Sequence, residues 1–280
     1  MKKDERPFNP CIVYLVWGER AVEQVFHTVR NSPGIAKYKK VIITDNETKV
    51  PETSDFEVRR VDFALPAGGY ARKSEFWKAL PEGHSSYAYF DSDVWVIEDI
   101  EYAFEKAEKH GFALVQSNSY LLDQFKRFHQ VLEEEGLSAK GLAQYNAGVI
   151  FFSGSEESVE VLKLWEKLCE KYLLQPQYLR MLDQPFLSLA LELRDLSPHT
   201  LIRNFNYRPN RDSVIGPIRI WHRTETPPPN INDQSKSWRR YDAKTQRMVP
   251  LARKTLGRRL SDAVIRLGSV VLGRQRKSDR

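Results

Sequence analysis

Residues 86–98 read SYAYFDSDVWVIE: an aromatic run closed by Asp91-Ser92-Asp93, then a second apolar run that begins at Val94. Tyr87, Ala88, Tyr89 and Phe90 have the character of a buried strand, and a buried strand cannot hold two unpaired carboxylates in its middle. The aspartates therefore belong at its end. Their i, i+2 spacing on extended backbone sends both side chains the same way, where they converge on one hard cation or on water. Asp and Ser are also ordinary turn formers, so the triplet alone reads equally well as a strand terminus.

Outward from this stretch, strands and helices alternate. Residues 11–17 read as a buried strand, Gly18 as a turn, and residues 19–30 as a helix with Ala21, Val22, Val25, Phe26 and Val29 at the 3.6 period. Strands over 40–44 and 56–61 follow, then the loop Ala67-Gly68-Gly69, a helix over 70–80 and the strand that carries Asp91. Beyond it, a helix is expected over 100–110, a strand over 112–116, a polar and partly helical segment over 119–142 that suits a lid or acceptor-side insertion, and a strand over 144–153. Helices over 155–172 and 184–193 come next, then a strand over 217–221 and a stiff extended loop around Pro227-Pro228-Pro229. This alternation predicts an α/β fold with a mixed, mostly parallel sheet flanked by helices.

The chain has 280 residues, a 41% hydrophobic share and a formal charge of +6. That charge is uneven. From residue 251 onward nine Lys and Arg stand against Asp262 and Asp279, a net of +7, which leaves residues 1–250 at −1. The basic character belongs to a tail, so no nucleic-acid-binding body is indicated. Residues 1–250 read as the folded body and 251–280 as its tail. In the tail, Leu256, Leu260, Ala263, Val264, Leu267 and Val271 fall at helical spacing with arginines between them. This is the pattern of a basic amphipathic helix on an anionic membrane, and equally of a packed terminal helix with a basic end.

Cys11 and Cys169 are far apart and form no C-x-x-C, which argues against a disulfide framework or thiolate metal site. The apolar run at 11–17 is too short for a signal segment, so a cytoplasmic or peripheral location is expected. G-x-G-x-x-G after the first strand, the P-loop and G-x-S-x-G are all absent. The aspartate pair is left as the candidate for handling phosphate, through a metal.

Five pieces in order resemble the GT-A glycosyltransferases that use nucleotide sugars, most closely family 8, the glycogenin-like and lipopolysaccharide-galactosyltransferase-like enzymes. Val16-Trp17-Gly18 stands where that family cradles the nucleobase. Tyr70-Ala71-Arg72-Lys73 precedes the D-x-D strand, where a basic residue of the family touches donor sugar or phosphate. Asn146-Ala147-Gly148 is similar to its N-A-G, Asp183-Gln184 to its D-Q pair, and His222 falls where it places a third metal ligand. The resemblance spans residues 11–222 and implies a GT-A fold and transfer of a hexose, with retention, from a UDP-sugar to a glycan or lipid-linked acceptor.

It also implies a division of roles. Asp93 and His222 ligate the metal with the diphosphate, and Asp91 contacts ribose and completes the shell, with Ser92 in the same donor-binding turn. Arg72, Asn146 and Asp183 hydrogen-bond the sugar, with Ala147 and Gly148 beside them, and Gln184 faces the anomeric centre. Carboxylates plus one imidazole suit Mn2+ or Mg2+ rather than a zinc cage.

After His222 the sequence departs from the family. A glycine and a Lys-Pro-Trp run usually follow, whereas Arg223-Thr224-Glu225-Thr226-Pro227 stands here, with Arg223 as a replacement cation. Two other readings use the same residues. One is a non-catalytic GT-A-like scaffold that binds nucleotide sugar or membrane. The other is an aspartate-nucleophile phosphohydrolase, which disfavours Trp95 at its position.

Overall fold

The computed structural model describes residues 7–53, 55–66, 70–117, 121–124, 127–137, 141–178, 181–209 and 213–251. The chain opens with β1 (Pro10–Leu15), buried at every position, and α1 (Glu19–Arg30), which starts after Gly18 at φ +81°. A residue with a Cβ is strained at that φ, so glycine is what allows so sharp a passage from strand to helix. β2 (Lys39–Thr44) and β3 (Glu57–Arg60) continue parallel to β1 on one side, and β4 (Ser86–Phe90) pairs parallel to it on the other.

β5 (Val94–Val96) and α2 (Glu101–His110) lead to β6 (Phe112–Gln116) and then α3 (Phe128–Glu134). β7 (Tyr145–Ser153) is antiparallel to both β4 and β6 and lies between them. α4 (Glu156–Leu173), α5 (Gln184–Leu193) and β8 (His199–Leu201) follow, with β8 parallel to β6 at the edge. The seven-stranded sheet has the order β3-β2-β1-β4-β7-β6-β8.

Alternation along the strands builds two cores. Cys11, Val13, Leu15, Tyr87, Tyr89, Leu114, Ile150 and Phe152 face Trp165, Leu168, Phe186 and Leu189 of α4 and α5. Their neighbours Ile12, Tyr14, Ala88, Phe90, Ala113, Val149 and Phe151 face Val22, Val25 and Phe26 of α1 and Ala103 and Phe104 of α2. A side chain on each face at every other position is what a sheet covered on both sides requires. A third, smaller cluster joins Trp95 to Tyr207, Val214, Ile218, Trp221 and Met248. It packs beneath the short sheets made by β9 (Ser213–Val214), β10 (Ile220–His222), β11 (Arg239–Asp242) and β12 (Arg247–Pro250).

Several expectations are refined. The helix expected over 70–80 is a 3-10 helix, Ala71–Ala79. Ser74 Oγ donates to the Ala71 carbonyl three residues back, at 2.7 Å. The Glu75 carboxylate takes the Ala64 and Leu65 amides, each at 2.9 Å, which ties the helix to the segment before it. The strand expected over 217–221 shrinks to Ile220–His222. Asn232 Oδ1 accepts the Ile218 amide and Asn204 Nδ2 donates to the Pro217 carbonyl, which replaces a ladder there.

Within 119–142, α3 docks on the core through Phe128, Val131 and Leu132. The small C-terminal sheet has no counterpart in the sequence reading, because its strands are two to four residues long. Both cysteines are free and buried. No described helix is long and apolar enough to cross a membrane. The Ala67-Gly68-Gly69 loop and the tail from residue 252 lie outside the described residues.

Phe151 lies in the second half of β7, fully buried and edge-on to Phe90 and Phe104 with ring centroids 5.7 and 5.2 Å away. Phe151→Ala is expected to cost about 3–5 kcal/mol in urea unfolding through the cavity it leaves. A loss under about 1 kcal/mol would contradict this packing.

Candidate metal centre

The site forms where the parallel strands β1, β2 and β4 end and the antiparallel β7 begins, the edge of an α/β sheet where ligands characteristically bind. The Asp91 amide donates to the Gly148 carbonyl at 2.9 Å, which carries the β4–β7 ladder one residue past the strand. The chain then turns, with Val94 N donating to Asp91 O at 3.2 Å, and Thr28 Oγ1 on α1 holds the Ser92 carbonyl at 3.2 Å. β5 leaves that turn and pairs with β10, placing His222 opposite Val94. The Arg223 amide donates to the Asp93 carbonyl at 3.0 Å. His222 is thus fixed beside the two aspartates by strand pairing.

His222 Nε2 lies 3.4 Å from Asp93 Oδ1 and 3.8 Å from Asp91 Oδ2. One ligand atom from each of the three residues falls within 4.8 Å of the others. Bonds of about 2.0–2.1 Å to an octahedral ion put its ligand atoms about 3–4 Å apart, and the separations of His222 Nε2 from the two carboxylates, 3.4 and 3.8 Å, fall in that range. Gly148 closes the floor. A Cβ built on it would lie 2.3 Å from His222 Cε1 and 2.5 Å from Asp91 Oδ2. Any side chain at 148 would force the imidazole and the carboxylate apart.

Lys73 is the internal counter-charge. Its ammonium is 2.7 Å from Asp91 Oδ1 and 3.7 Å from Asp183 Oδ2, and it lies over the Tyr89 ring. Burial opposes its charge, but Asp183 and Asp91 outweigh that and hold its pKa above the ordinary lysine value. Tyr89 OH donates to Asp91 Oδ1 at 2.9 Å, while Oδ2 accepts from Lys73 Nζ at 3.0 Å and is also the oxygen turned to His222. Burial would push the Asp93 carboxyl up, yet His222 pulls it below the ordinary value. Asp91, Asp93 and Asp183 together outnumber the single buried ammonium, an excess of negative charge that a divalent ion would balance.

Asp183 caps α5. Burial pushes its carboxyl up to about 6, with Lys73 opposing, and its Oδ2 has no hydrogen-bond partner. Gln184 is held at both ends of its carboxamide. Oε1 accepts from Asn146 Nδ2 at 2.8 Å, and Nε2 donates to Ser117 Oγ at 3.2 Å. Asn146 Oδ1 accepts the Gly148 amide at 2.9 Å. Ala147 is buried beside them on β7.

The structure therefore brings Lys73, Asp91, Asp93, Asn146, Ala147, Gly148, Asp183, Gln184 and His222 together. Arg72 turns another way. Its guanidinium pairs with Asp45 at 3.3 Å, donates to the Leu65 carbonyl at 3.1 Å, and lies 5.3 and 5.0 Å from the Trp17 and Phe63 ring centroids. It thus joins the end of β2 to Val16-Trp17-Gly18 at the end of β1, where Thr48 Oγ1 takes the Gly18 amide at 2.8 Å. Arg223 is engaged by Glu225 through both its Nε and Nη2.

The sequence reading passed over Tyr89, Asp45 and Asn206. Asn206 Nδ2 donates to Asn146 Oδ1 at 2.8 Å, and its Oδ1 meets His222 Nδ1 at 2.8 Å. A signal for it existed in Asn204-Phe205-Asn206-Tyr207, where amides alternate with large aromatics ahead of a strand.

No protein-family model matches the sequence, and no curated protein matches it by sequence. Solved structures do match the fold. The galactosyltransferase LgtC, in complex with donor and acceptor sugar analogs, superposes at a TM-score of 0.54 with 13% identity, over 80% of this chain and 91% of that one. An active-site mutant of LgtC gives 0.52 with 14% identity, over 77% and 87%. The chain has the GT-A glycosyltransferase fold, with a mixed, mostly parallel seven-stranded sheet between helices.

The pH dependence of folding reports Asp183. Its folded pKa of about 6 exceeds the ordinary 3.8, so between those values the folded state binds more protons than the unfolded one. Stability from this group is complete below about pH 4 and is lost as pH rises through about 6. Asp183→Asn is expected to raise unfolding stability at pH 7.5 by roughly 1–3 kcal/mol and to change it little at pH 4. Parallel stability profiles for variant and wild type in urea titrations at both pH values would refute the assignment.

Proposed function

We infer that the protein is a metal-dependent glycosyltransferase that moves a hexose from a nucleotide diphosphate sugar, a UDP-sugar, to a glycan or lipid-linked acceptor with retention. The observation that carries the reading is the cluster of Asp91, Asp93 and His222 at the carboxyl ends of the parallel strands of a GT-A fold. LgtC, with the same fold, was solved with donor and acceptor sugar analogs. In this reading residues 1–250 are the catalytic domain.

When the glycosidic bond breaks, negative charge develops on the departing diphosphate and has to be neutralised in place. A divalent ion held by Asp93, His222 and Asp91, Mn2+ or Mg2+, supplies that positive charge when bound. Arg223, the residue after His222, is the second cation for the diphosphate. Asp183, whose Oδ2 has no hydrogen-bond partner, accepts a hydrogen bond from a sugar hydroxyl, and Lys73 holds it next to Asp91. Gln184 and Asn146, clamped by their own hydrogen bonds, form a rigid wall that orients the anomeric carbon. Val16, Trp17 and Gly18 border the nucleobase, with Arg72 and Asp45 as their support.

The excess positive charge of residues 251–280 suits an anionic bilayer, which would place the enzyme in the cytoplasm at the inner membrane face, beside a lipid-linked acceptor.

Asp93→Asn is expected to leave the circular dichroism spectrum unchanged and to reduce Mn2+-dependent release of UDP from a UDP-hexose by about 100-fold or more. Undiminished release in this variant would sink the metal reading, and phosphate release from simple esters would indicate a hydrolase instead. For the tail, flotation with phosphatidylserine vesicles is expected to carry the full chain and not a chain ending at residue 250. No dependence on anionic lipid would remove the membrane assignment.

A further inference from the structure

We propose that Asn206 is a positioning residue that sets the tautomer of His222 and so presents Nε2, rather than Nδ1, as the metal-binding atom. The inference rests on the metal reading given above and assigns a task to a residue outside the ligand set.

The direction of every amide in this region follows from a backbone group. The Gly148 N–H can only donate, and it donates to Asn146 at 2.9 Å, so the atom facing it is Oδ1. Asn206 meets that same oxygen at 2.8 Å and must present its NH2 group. Its remaining end, Oδ1, then faces His222 Nδ1 at 2.8 Å, where only an N–H makes a hydrogen bond. The imidazole is therefore protonated at Nδ1. A second backbone donor agrees with this polarity: Ala147 N–H points to Gln184 Oε1 at 3.4 Å, and Asn146 Nδ2 donates to that oxygen at 2.8 Å. From His222 the chain runs in one direction through Asn206, Asn146 and Gln184 to Ser117 Oγ.

Its consequence lies at the opposite ring nitrogen. With Nδ1 committed, Nε2 faces the Asp93 and Asp91 oxygens at 3.4 and 3.8 Å. A lone pair there is ready to share one cation with the two carboxylates. An N–H there would instead bond a carboxylate and block the ion. Asn206 and Asn146 are 3% and 5% exposed, so solvent does not compete for these amides. A metal-bound histidine is commonly oriented by such an acceptor on its other nitrogen. Here it is a neutral carboxamide whose own direction is dictated from the main chain.

The test pairs 15N NMR of labelled histidine, at a pH where the imidazole is neutral, with Mn2+ titration followed by electron paramagnetic resonance. Wild type is expected to show the Nδ1–H form of His222. Asn206→Leu, which fills the space without an acceptor, is expected to shift His222 to the Nε2–H form and to weaken Mn2+ binding by about 10–100-fold. Asn206→Asp keeps the acceptor and is expected to retain the Nδ1–H form and to bind Mn2+ more tightly than Asn206→Leu. Circular dichroism establishes that each variant is folded.

An Nε2–H tautomer in wild type, wild-type Mn2+ affinity in Asn206→Leu, or equal losses in the Leu and Asp variants would each overturn the proposal. Failure of wild type to bind Mn2+ at all would overturn the metal reading on which it rests, a result distinct from the other three.

Discussion

The close approach of β4 and β7 at Gly148 is the constraint on which the site depends. Asp91 N donates to Gly148 O, and no Cβ stands between that backbone, the Asp91 carboxylate and the His222 ring. Because β7 runs antiparallel to β4, its first residues arrive where β4 ends. Asn146, Ala147 and Gly148 therefore meet Asp91-Ser92-Asp93 at the sheet edge and not within it. There the Asp91 and Asp93 side chains stay partly exposed, so their desolvation is smaller than the middle of a buried strand would impose.

Charge balance is the second condition. Lys73 is supplied by the 3-10 helix Ala71–Ala79, and it partners both Asp91 and Asp183 from beneath. It reaches both Asp91 oxygens, sharing Oδ1 with Tyr89, and Oδ2 also faces His222. One ammonium against several carboxylates keeps the site negative enough to attract a divalent ion, yet not so negative that an internal carboxylate repels its neighbours outright. The Asp183 carboxyl is pushed up to about 6 chiefly by burial, which Lys73 offsets only in part.

Much of the fold was legible because its signals are local. The 3.6 period over residues 19–30 marks α1 with the bounds observed, the apolar stretch at 184–193 marks α5, and the apolar run at 112–116 marks β6. The 70–80 segment was legible as helical but not as 3-10, since the i, i+3 bonds Lys73 N to Tyr70 O and Leu80 N to Trp77 O are backbone choices that side-chain types do not announce. β9, β11 and β12 were not legible. Strands this short hold together by burying Tyr207, Trp221 and Met248 in a shared cluster, which no period in any one of them announces. The candidate site was legible as a set of residue types in order, while Asn206, Tyr89 and Asp45 resembled ordinary strand and turn residues.

By itself the sequence determined the alternating α/β elements, the placement of Asp91 and Asp93 at a strand end, and the confinement of excess positive charge to the tail. Each follows from side-chain period, the cost of burying charge, or simple counting. Only the tertiary structure decided that β5 pairs with β10 to set His222 against the aspartates, that Arg72 turns to Asp45 and Trp17 while Lys73 turns inward, and that Asn206 orients the imidazole. The physical reason is that a local pattern says which face of an element is buried but not which distant element covers it, and hydrogen-bond direction in a buried network is settled only once its backbone donors are in place.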